Sequence, residues 1–467
     1  MKRTVLILAA AALVLVAWQL PAQEALDWGG SLTTINTVQS VEDGSDEDVF
    51  ENSEKLVLYL TSPIGRSWDF VGQLGVSFTS EPVFAVDLER LYLQNQIDFV
   101  DREDRSVEQA PGLLRLSSRF GRYRVSDPTG LVLNHTLDGA GFTVEGRGMS
   151  FAAAVGYTGL INKEFSSVSL SIQDSIDDED DDVYLGPKRL LGRGTLAFPA
   201  LVAEQNVTLG FAFQQDLRDP ESVIEEGTEP AAITDPGGLV DTQYAIATID
   251  GPIPGVTSLF YGFSYVFNTG RTLSLVEDAA SQDPTGTSYQ YKPIRAHLVQ
   301  AEFDYYLPQF YSSAIGLGVI VGTGDDDYSG YVEGNTADNA TMFTAATPVG
   351  QGAVFNLESG NATVAEVSYS LKPFAGTQGL AESLLARVAV LNFFRTAGSG
   401  PVSAADVDPA EDGGYLGTEL DLEFRWRPFS DLGVGLTTGF LFANDQVLLD
   451  NSNSFDYVIR LNASLSF

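Results

Sequence analysis

The segment Phe455–Phe467, FDYVIRLNASLSF, changes between apolar and polar side chains at almost every step. One face is apolar throughout and consists of Phe455, Tyr457, Ile459, Leu461, Ala463, Leu465 and Phe467. The other face carries an aspartate, an arginine, an asparagine and two serines, with Val458 as the one exception. Successive side chains of a β-strand point to opposite faces, so the segment is predicted to be a strand between lipid and water.

The same period of two recurs along the chain in segments of about ten residues. In Leu416–Trp426, for example, Leu420, Leu422 and Phe424 alternate with acidic residues. We count about eighteen such segments, which begin near residues 25, 54, 67, 83, 112, 139, 150, 188, 204, 239, 256, 291, 310, 361, 384, 414, 432 and 455. The pattern therefore predicts an all-β fold.

Short connections rich in proline and glycine alternate with long ones. The long connections hold more than half of the acidic residues and are 41–53, 160–187, 216–240, 271–290, 323–360, 396–414 and 443–454. Short turns at one end and long loops at the other are typical of outer-membrane barrels. We predict a single transmembrane up-and-down antiparallel β-barrel of about 18 strands, within a range of 16–18. Its termini and short turns would be periplasmic and its long acidic loops extracellular.

Aromatic residues lie at both ends of the predicted strands and share the parity of the apolar faces. At the short-turn end they are Trp28, Trp68, Phe198, Tyr305, Trp426 and Phe467. At the loop end they are Phe78, Phe84, Tyr157, Phe213, Phe267, Phe440, Phe442 and Phe455. Two aromatic girdles are expected of a surface that faces lipid, whereas a buried core would scatter its aromatic residues.

Residues 1–22 have the layout of a secretory signal peptide. Lys2 and Arg3 precede the apolar run Val5–Val16, and Ala22 offers a small residue for cleavage. We expect residues 1–22 to be removed and residues 23–467 to form the transmembrane β-barrel domain. Past Ala22, no apolar run approaches the ~20 residues that a membrane-spanning helix needs.

The formal net charge is −37, which argues against a nucleic-acid-binding protein because such proteins need a basic footprint. There is no cysteine, so disulfides and thiolate metal sites are excluded. No cofactor is expected. Asp178, Asp180 and Asp182 are weak candidates for binding Ca²⁺ or another divalent cation, although they lack the spacing of an EF-hand loop. Solvation of the loops, or a saline habitat, would explain the same acidity.

The final strand has a second implication. Its apolar face resembles the C-terminal signal by which bacterial barrels are recognised for membrane insertion, carried here by Tyr457, Ile459, Leu461, Leu465 and Phe467. The resemblance implies periplasmic chaperones, the barrel-assembly machinery and outer-membrane lipids as partners, in the cell outer membrane of a diderm bacterium. The last strand must also pair with the first, because an open edge in hydrocarbon leaves backbone groups unsatisfied.

Two blocks point to a family. The first comprises Arg119–Arg122, Asp127–Gly130 and Asp138–Gly139, and the second comprises Gly414–Asp421 and Arg427–Leu432. Together they resemble the alginate-export family of porins. The resemblance implies an eighteen-stranded monomeric barrel that passes a charged polysaccharide.

Strand parity also predicts which charged side chains line the lumen, where they set ion preference. These residues are Arg115, Arg119, Arg122, Glu145, Arg147, Glu302, Asp304, Glu419, Asp421, Glu423, Arg425 and Arg427. Arg115, Arg119 and Arg122 form the densest basic group and are the first candidates to attract an anion. Because both signs are present, mutual salt bridges in a narrow or plugged interior are the alternative.

The leading functional hypothesis is diffusion or selective passage of small hydrophilic solutes, charged solutes and saccharides among them, through an outer-membrane porin. The alternative is a surface protein or adhesin with a closed barrel and acidic loops that bind ligands or cations. Catalysis is not expected, because only His135 and His297 are present. His135, near Asp127 and Asp138 in sequence, is the sole candidate base, and parity places His297 on the lipid-facing side.

Overall fold

The computed structural model describes the greater part of the chain beyond the predicted signal peptide. The described residues are 26–40, 48–65, 67–79, 84–99, 113–158, 168, 186, 188–217, 227, 240–279, 286–326, 336, 338–449 and 452–467. The predicted signal peptide and the candidate calcium residues Asp178, Asp180 and Asp182 lie outside these ranges. Within the ranges, no helix combines the length and the apolar character needed to cross a membrane.

Eighteen antiparallel strands form one closed sheet, in which each strand pairs with its neighbours in sequence and β18 pairs with β1. The strands are β1 Asp27–Gln39, β2 Val49–Ile64, β3 Trp68–Thr79, β4 Phe84–Asp98, β5 Leu113–Ser126, β6 Asn134–Gly146, β7 Met149–Tyr157, β8 Arg189–Val202, β9 Gln205–Asp216, β10 Val240–Pro252, β11 Leu259–Glu277, β12 Thr287–Leu307, β13 Ser313–Gly322, β14 Ala362–Leu371, β15 Leu385–Arg395, β16 Tyr415–Trp426, β17 Leu432–Ala443 and β18 Phe455–Ser466. The prediction of an all-β up-and-down barrel with about eighteen strands is confirmed.

Most strands begin within three residues of the predicted positions, and the exceptions lie at the long-loop end. There β2 begins at Val49 rather than near 54, β6 at Asn134 rather than near 139, and β12 at Thr287 rather than near 291. Where a strand continues beyond the lipid, neither of its faces contacts hydrocarbon, so its sequence need not alternate between apolar and polar residues. The extensions are therefore set by pairing with neighbouring strands and are not visible as a hydrophobic pattern.

The barrel closes between Gly30 and Phe467. The Gly30 amide donates to the Phe467 carbonyl at 2.9 Å, and the Phe467 amide donates to the Gly30 carbonyl at 3.0 Å. The register continues along both strands to Gln39, which lies opposite Val458. Each backbone group engaged in this seam is removed from contact with hydrocarbon, where an unsatisfied group costs several kcal/mol.

The outward face of the barrel is apolar and exposed. On β18, the side chains of Ile459, Leu461, Leu465 and Phe467 are 40–60% exposed and point away from the lumen. Trp28, Trp68 and Trp426 are likewise exposed at the short-turn end, and Phe78 and Phe442 at the opposite end. Such a belt is incompatible with water and is suited to a bilayer.

The buried apolar core lies inside the barrel and is formed by connections that fold against the inner wall. One cluster packs Leu131–Leu133 and the segment 340–346 against inward side chains of β5, β6 and β8–β12. A second cluster packs Phe355, Leu357, Val402 and Val407 against β14–β17. Among the described residues, the β5–β6, β13–β14 and β15–β16 connections thus cover part of the inner wall, and Val168 of the β7–β8 connection and Val447 of the β17–β18 connection join the same clusters.

The seam provides the first test. A Cβ atom at Gly30 would lie 2.7 Å from the Phe467 ring and 2.8 Å from the Val57 carbonyl oxygen. We expect Gly30→Val to lower the free energy of unfolding by about 1–3 kcal/mol through overpacking. Urea unfolding of the refolded barrel, followed by tryptophan fluorescence and heat-dependent gel mobility, measures the change.

Gly194→Val is the matched control, because Gly194 also faces outward from a strand and its Cβ would meet no atom within 4 Å. Equal unfolding midpoints for the two variants would contradict a tightly packed seam.

Candidate functional site

The β13–β14 connection crosses the interior. Near its start, the Arg295 amide of β12 donates to the Ala340 carbonyl at 2.8 Å. Farther along, the Thr347 amide donates to the Val132 carbonyl at 2.9 Å, and the Thr347 hydroxyl accepts from the Asn134 amide at 2.6 Å. Val132 and Asn134 belong to the β5–β6 region, which lies almost opposite β13 in the closed strand order. The connection therefore narrows the lumen.

Asp127 stabilises the β5–β6 connection, which the β13–β14 connection contacts. Its carboxylate accepts hydrogen bonds from the backbone amides of Thr129, Val132 and Leu133 at 2.7–3.1 Å, and from the Thr129 hydroxyl at 2.6 Å. A buried connection needs such acceptors, because its amides have no water to bind. The Asp-Pro-Thr-Gly block of the sequence is thus explained by local structure.

Glu419 anchors the β13–β14 connection to the opposite wall. This fully buried carboxylate accepts from the amides of Ala353, Val354 and Phe355 at 2.5–2.9 Å. Gly352, at φ +90°, allows the chain to approach, since a Cβ there would lie 2.7 Å from a Glu419 carboxylate oxygen. The structure thus places Glu419, one of the predicted lumen residues, beneath a connection rather than on an open surface.

The densest uncompensated positive charge lies on the inner wall of β5–β8. In register across four strands stand Arg119, Gly141, Ala154 and Arg193. Arg119 lies 5.8 Å from the centre of the Tyr92 ring, and a terminal nitrogen of Arg193 donates to the Thr195 hydroxyl at 3.2 Å. Among the described residues, no carboxylate lies within 4 Å of either guanidinium. We call Arg119 and Arg193 the basic row.

Arg193 was missed by the sequence analysis. Its signal was present, because Arg193 falls opposite Leu196 in the alternation of β8. What the sequence did not show is that only a glycine and an alanine separate it from Arg119 along the row. The space over that glycine is filled by the Tyr123 hydroxyl, from which a Cβ atom at Gly141 would lie 2.4 Å away.

The other two arginines of the predicted basic group are compensated. Arg115 faces inward and forms ion pairs with Asp98 at 2.7 Å and Glu145 at 3.4 Å. Arg122 has the opposite parity from Arg119, and its side chain is only 8% exposed. It pairs with Asp138 at 3.0 Å and lies 4.0 Å from Asp87.

Acidic side chains line the other side of the lumen. Glu302 and Asp304 face inward from β12, where Gly318 and Gly316 of β13 lie opposite them. Among the described residues, neither carboxylate has an arginine or lysine within 4 Å. On β16, Asp421 and Glu423 also face inward, and Glu423 pairs with Arg425 at 2.5 Å. Among the described residues, the carboxylates of β12 that lack a basic partner thus lie apart from the basic row on β5–β8.

Two predicted lumen residues lie in turns. Arg147 is exposed in the two-residue turn between β6 and β7. Arg427 follows β16, where its backbone amide donates to the Ser383 hydroxyl at 3.2 Å. Both positions are at the short-turn mouth of the barrel rather than along its wall.

Both aspartates that lie near His135 in the sequence bind other partners in the structure. His135 is buried at the start of β6, Asp127 binds backbone amides, and Asp138 binds Arg122. His297 faces outward, as parity predicted. Within the described ranges, no group of three histidine or acidic side chains is arranged to hold a metal ion.

Similarity to solved structures defines the class of fold. Pseudomonas aeruginosa OccK11 (OpdR) matches with a TM-score of 0.54 and 11% identity over 95% of this chain and 96% of that one. P. aeruginosa OpdL matches at 0.53 and 12% over 95% and 98%. P. aeruginosa OccK2 (OpdF), solved in complex with glucuronate, matches at 0.53 and 13% over 94% and 98%. No protein-family model matches the sequence, and a search of curated proteins gives no match.

These matches establish that the chain has the fold of bacterial outer-membrane porins with eighteen strands. The alginate-export family in particular is not indicated by them. At 11–13% identity the likeness concerns the fold alone.

The anchor at Glu419 provides a second test. Glu419→Ala would leave three buried amides without an acceptor, at a cost of about 1–3 kcal/mol each. We expect the 349–357 segment to leave the wall, so that limited proteolysis of the refolded barrel cuts there at least about tenfold faster.

Glu423→Ala serves as the control, because its carboxylate pairs with Arg425 and contacts none of the described connections. Equal cleavage of both variants at 349–357 would show that Glu419 does not hold the segment.

Proposed function

We propose that this protein is an outer-membrane channel for small hydrophilic solutes and that it favours anions. The observation that carries the proposal is the basic row, two arginines of the inner wall with no carboxylate within 4 Å among the described residues. Charged groups that line a lumen set its ion preference, and arginines favour anions. Arg115 and Arg122 serve structure through their ion pairs, whereas Arg119 and Arg193 are free to meet a solute.

The chemistry of the row suits a carboxylate. Guanidinium groups bind carboxylates with two parallel hydrogen bonds, and the bond strengthens where water is partly excluded. The Tyr123 hydroxyl lies over Gly141, within the row that joins Arg119 to Arg193. Tyr92 is covered by Arg119 and packs against Tyr123, so it supports the guanidinium of Arg119 from the wall.

The acidic side of the lumen would orient the solute. Glu302 and Asp304 repel carboxylates, so an anion is confined to the side that carries the basic row. A solute with both a carboxylate and hydroxyl groups can then bind arginine at one end and acidic side chains at the other. This separation of charges supports selection of solutes by their orientation in the lumen as well as by their net charge.

We propose an acidic monosaccharide as the class of solute. The two sequence blocks that resemble alginate-export porins and the glucuronate bound to OccK2 both support an acidic sugar. The connection that crosses the interior favours a small molecule over a polymer, because an extended chain needs a continuous wide path.

A surface protein with a closed lumen is the second candidate. The packing of several connections against the inner wall supports it. Export through residues 1–22, insertion through the C-terminal strand and divalent-cation binding by the acidic loops remain predictions under either function.

Planar-bilayer recording tests the channel. We expect discrete conductance steps and a preference for anions in a potassium chloride gradient. Arg119→Glu combined with Arg193→Glu should shift the reversal potential toward cation preference, lowering the anion-to-cation permeability ratio by about threefold or more. A silent barrel with correct heat-dependent mobility would instead favour the closed surface protein.

Two controls separate charge from geometry. Arg124→Glu changes an exposed arginine on the outward face of β5 and should leave the reversal potential unchanged. Arg119→Lys with Arg193→Lys should keep the anion preference but weaken glucuronate uptake in liposome swelling, since lysine cannot bind a carboxylate in two-pronged fashion. An unaltered reversal potential in the glutamate double variant would overturn the role of the basic row.

A further inference from the structure

The outward face of β9–β12 changes from apolar to basic toward the long-loop end. Successive rows across these strands follow the register. The rows are Leu209, Ala247, Tyr265 and Val299; then Phe211, Ala245, Phe267 and His297; then Phe213, Gln243, Thr269 and Arg295; and finally Asp241, Arg271 and Pro293. The charges therefore begin directly beyond the aromatic residues, at the level where lipid headgroups meet water.

Arg295 points firmly outward. Its neighbours Ile294 and Ala296 are 4% and 0% exposed beneath the β13–β14 connection, so alternation directs Arg295 to the opposite face. The residue is exposed. Among the described residues, its guanidinium has no carboxylate within 4 Å. An uncompensated arginine on the outer surface of a chain with net charge −37 is an unusual feature.

Arg271 lies diagonally across from Arg295 on the same face. Its Nε atom donates to Asp241 at 3.1 Å, and its guanidinium lies 4.6 Å from the centre of the Tyr291 ring. Asp241 is held in turn by the Asp216 amide at 3.0 Å. These contacts fix the orientation of Arg271 while its side chain remains 54% exposed.

A hydrogen-bonding pair lies just below the arginines. The Tyr265 hydroxyl and the Nδ1 atom of His297 are 2.8 Å apart, and Phe267 packs beside the imidazole ring at 5.3 Å between centroids. Pairing through Nδ1 leaves the Nε2 atom available to a further partner. The Tyr265 hydroxyl and the His297 imidazole thus lie within the aromatic girdle, next to the membrane–water interface.

A groove connects these features. It has a volume of about 640 Å³, and its outward lining includes Phe211 and Phe213 at the apolar end. At the polar end the lining includes Gln243, Thr269 and Arg271, together with Asp241, which pairs with one edge of the Arg271 guanidinium. One end suits acyl chains and the other suits an anionic headgroup. We call the groove together with Arg295 and His297 the outer basic patch.

We propose that the outer basic patch binds the phosphate-bearing headgroup of a glycolipid in the outer leaflet. Phosphate oxygens would accept hydrogen bonds from Arg271 and Arg295, and the apolar end of the groove would hold the acyl chains. Charge complementarity favours this occupant over a second copy of the chain. A second copy in the same bilayer would not bring its acidic residues into contact with the patch. The proposal does not depend on whether the lumen conducts.

The test uses the refolded full-length barrel in detergent micelles with diphosphoryl lipid A as the probe, measured by native mass spectrometry and by fluorescence titration. We expect one retained lipid per barrel. Arg271→Gln combined with Arg295→Gln should weaken binding by about tenfold or more, whereas Arg124→Gln, an exposed outward arginine on β5, should not. Heat-dependent gel mobility confirms that each variant is folded.

Three outcomes would overturn the proposal. Equal binding of the double variant, or of lipid A from which both phosphates are removed, would mean that acyl chains alone are bound. Displacement of the lipid by an equal concentration of inorganic phosphate would identify a site for free anions. Dimers that persist without lipid and dissociate in the double variant would assign the patch to a second copy.

Discussion

The structure depends on the satisfaction of backbone hydrogen bonds in a medium that offers none. Eighteen strands achieve it only because β18 returns to β1, with Phe467 and Gly30 exchanging hydrogen bonds at the seam. Closure fixes the register of every strand, and register fixes the face to which each side chain points. The apolar belt, the charged lumen and the outer basic patch are therefore consequences of one constraint.

The same constraint operates again inside the barrel, on a smaller scale. Connections that fold against the inner wall carry amides away from bulk water, and carboxylates satisfy them. Asp127 binds three amides of its own connection, whereas Glu419 reaches three amides of a different one. Glu419, which the sequence predicted to be a lumen charge, is thus a structural acceptor like Asp127, and the shape of the lumen depends on both.

The charges that remain are divided by location. Among the described residues, Arg119 and Arg193 on β5–β8 have no carboxylate within 4 Å, and Glu302 and Asp304 on β12 have no basic side chain within 4 Å. Positive charge also lies on the outer surface, where Arg271 and Arg295 are located beyond the aromatic residues. Net charge alone describes none of this, since a total of −37 is compatible with local patches of either sign.

The sequence by itself determined the class of fold, the approximate number of strands and the parity of most strands, because alternation between lipid and water is a local property of each segment. It assigned Arg115 and Arg119 to one face, yet it could not tell them apart. Arg115 lies opposite Asp98 and Glu145, whereas Arg119 lies opposite Gln94 and Gly141, and only the pairing of strands decides this. The inward fold of the β13–β14 connection was equally invisible, since Glu419 and the amides that it binds are about 65 residues apart. Contacts between distant segments follow from closure of the barrel, and no local pattern records them.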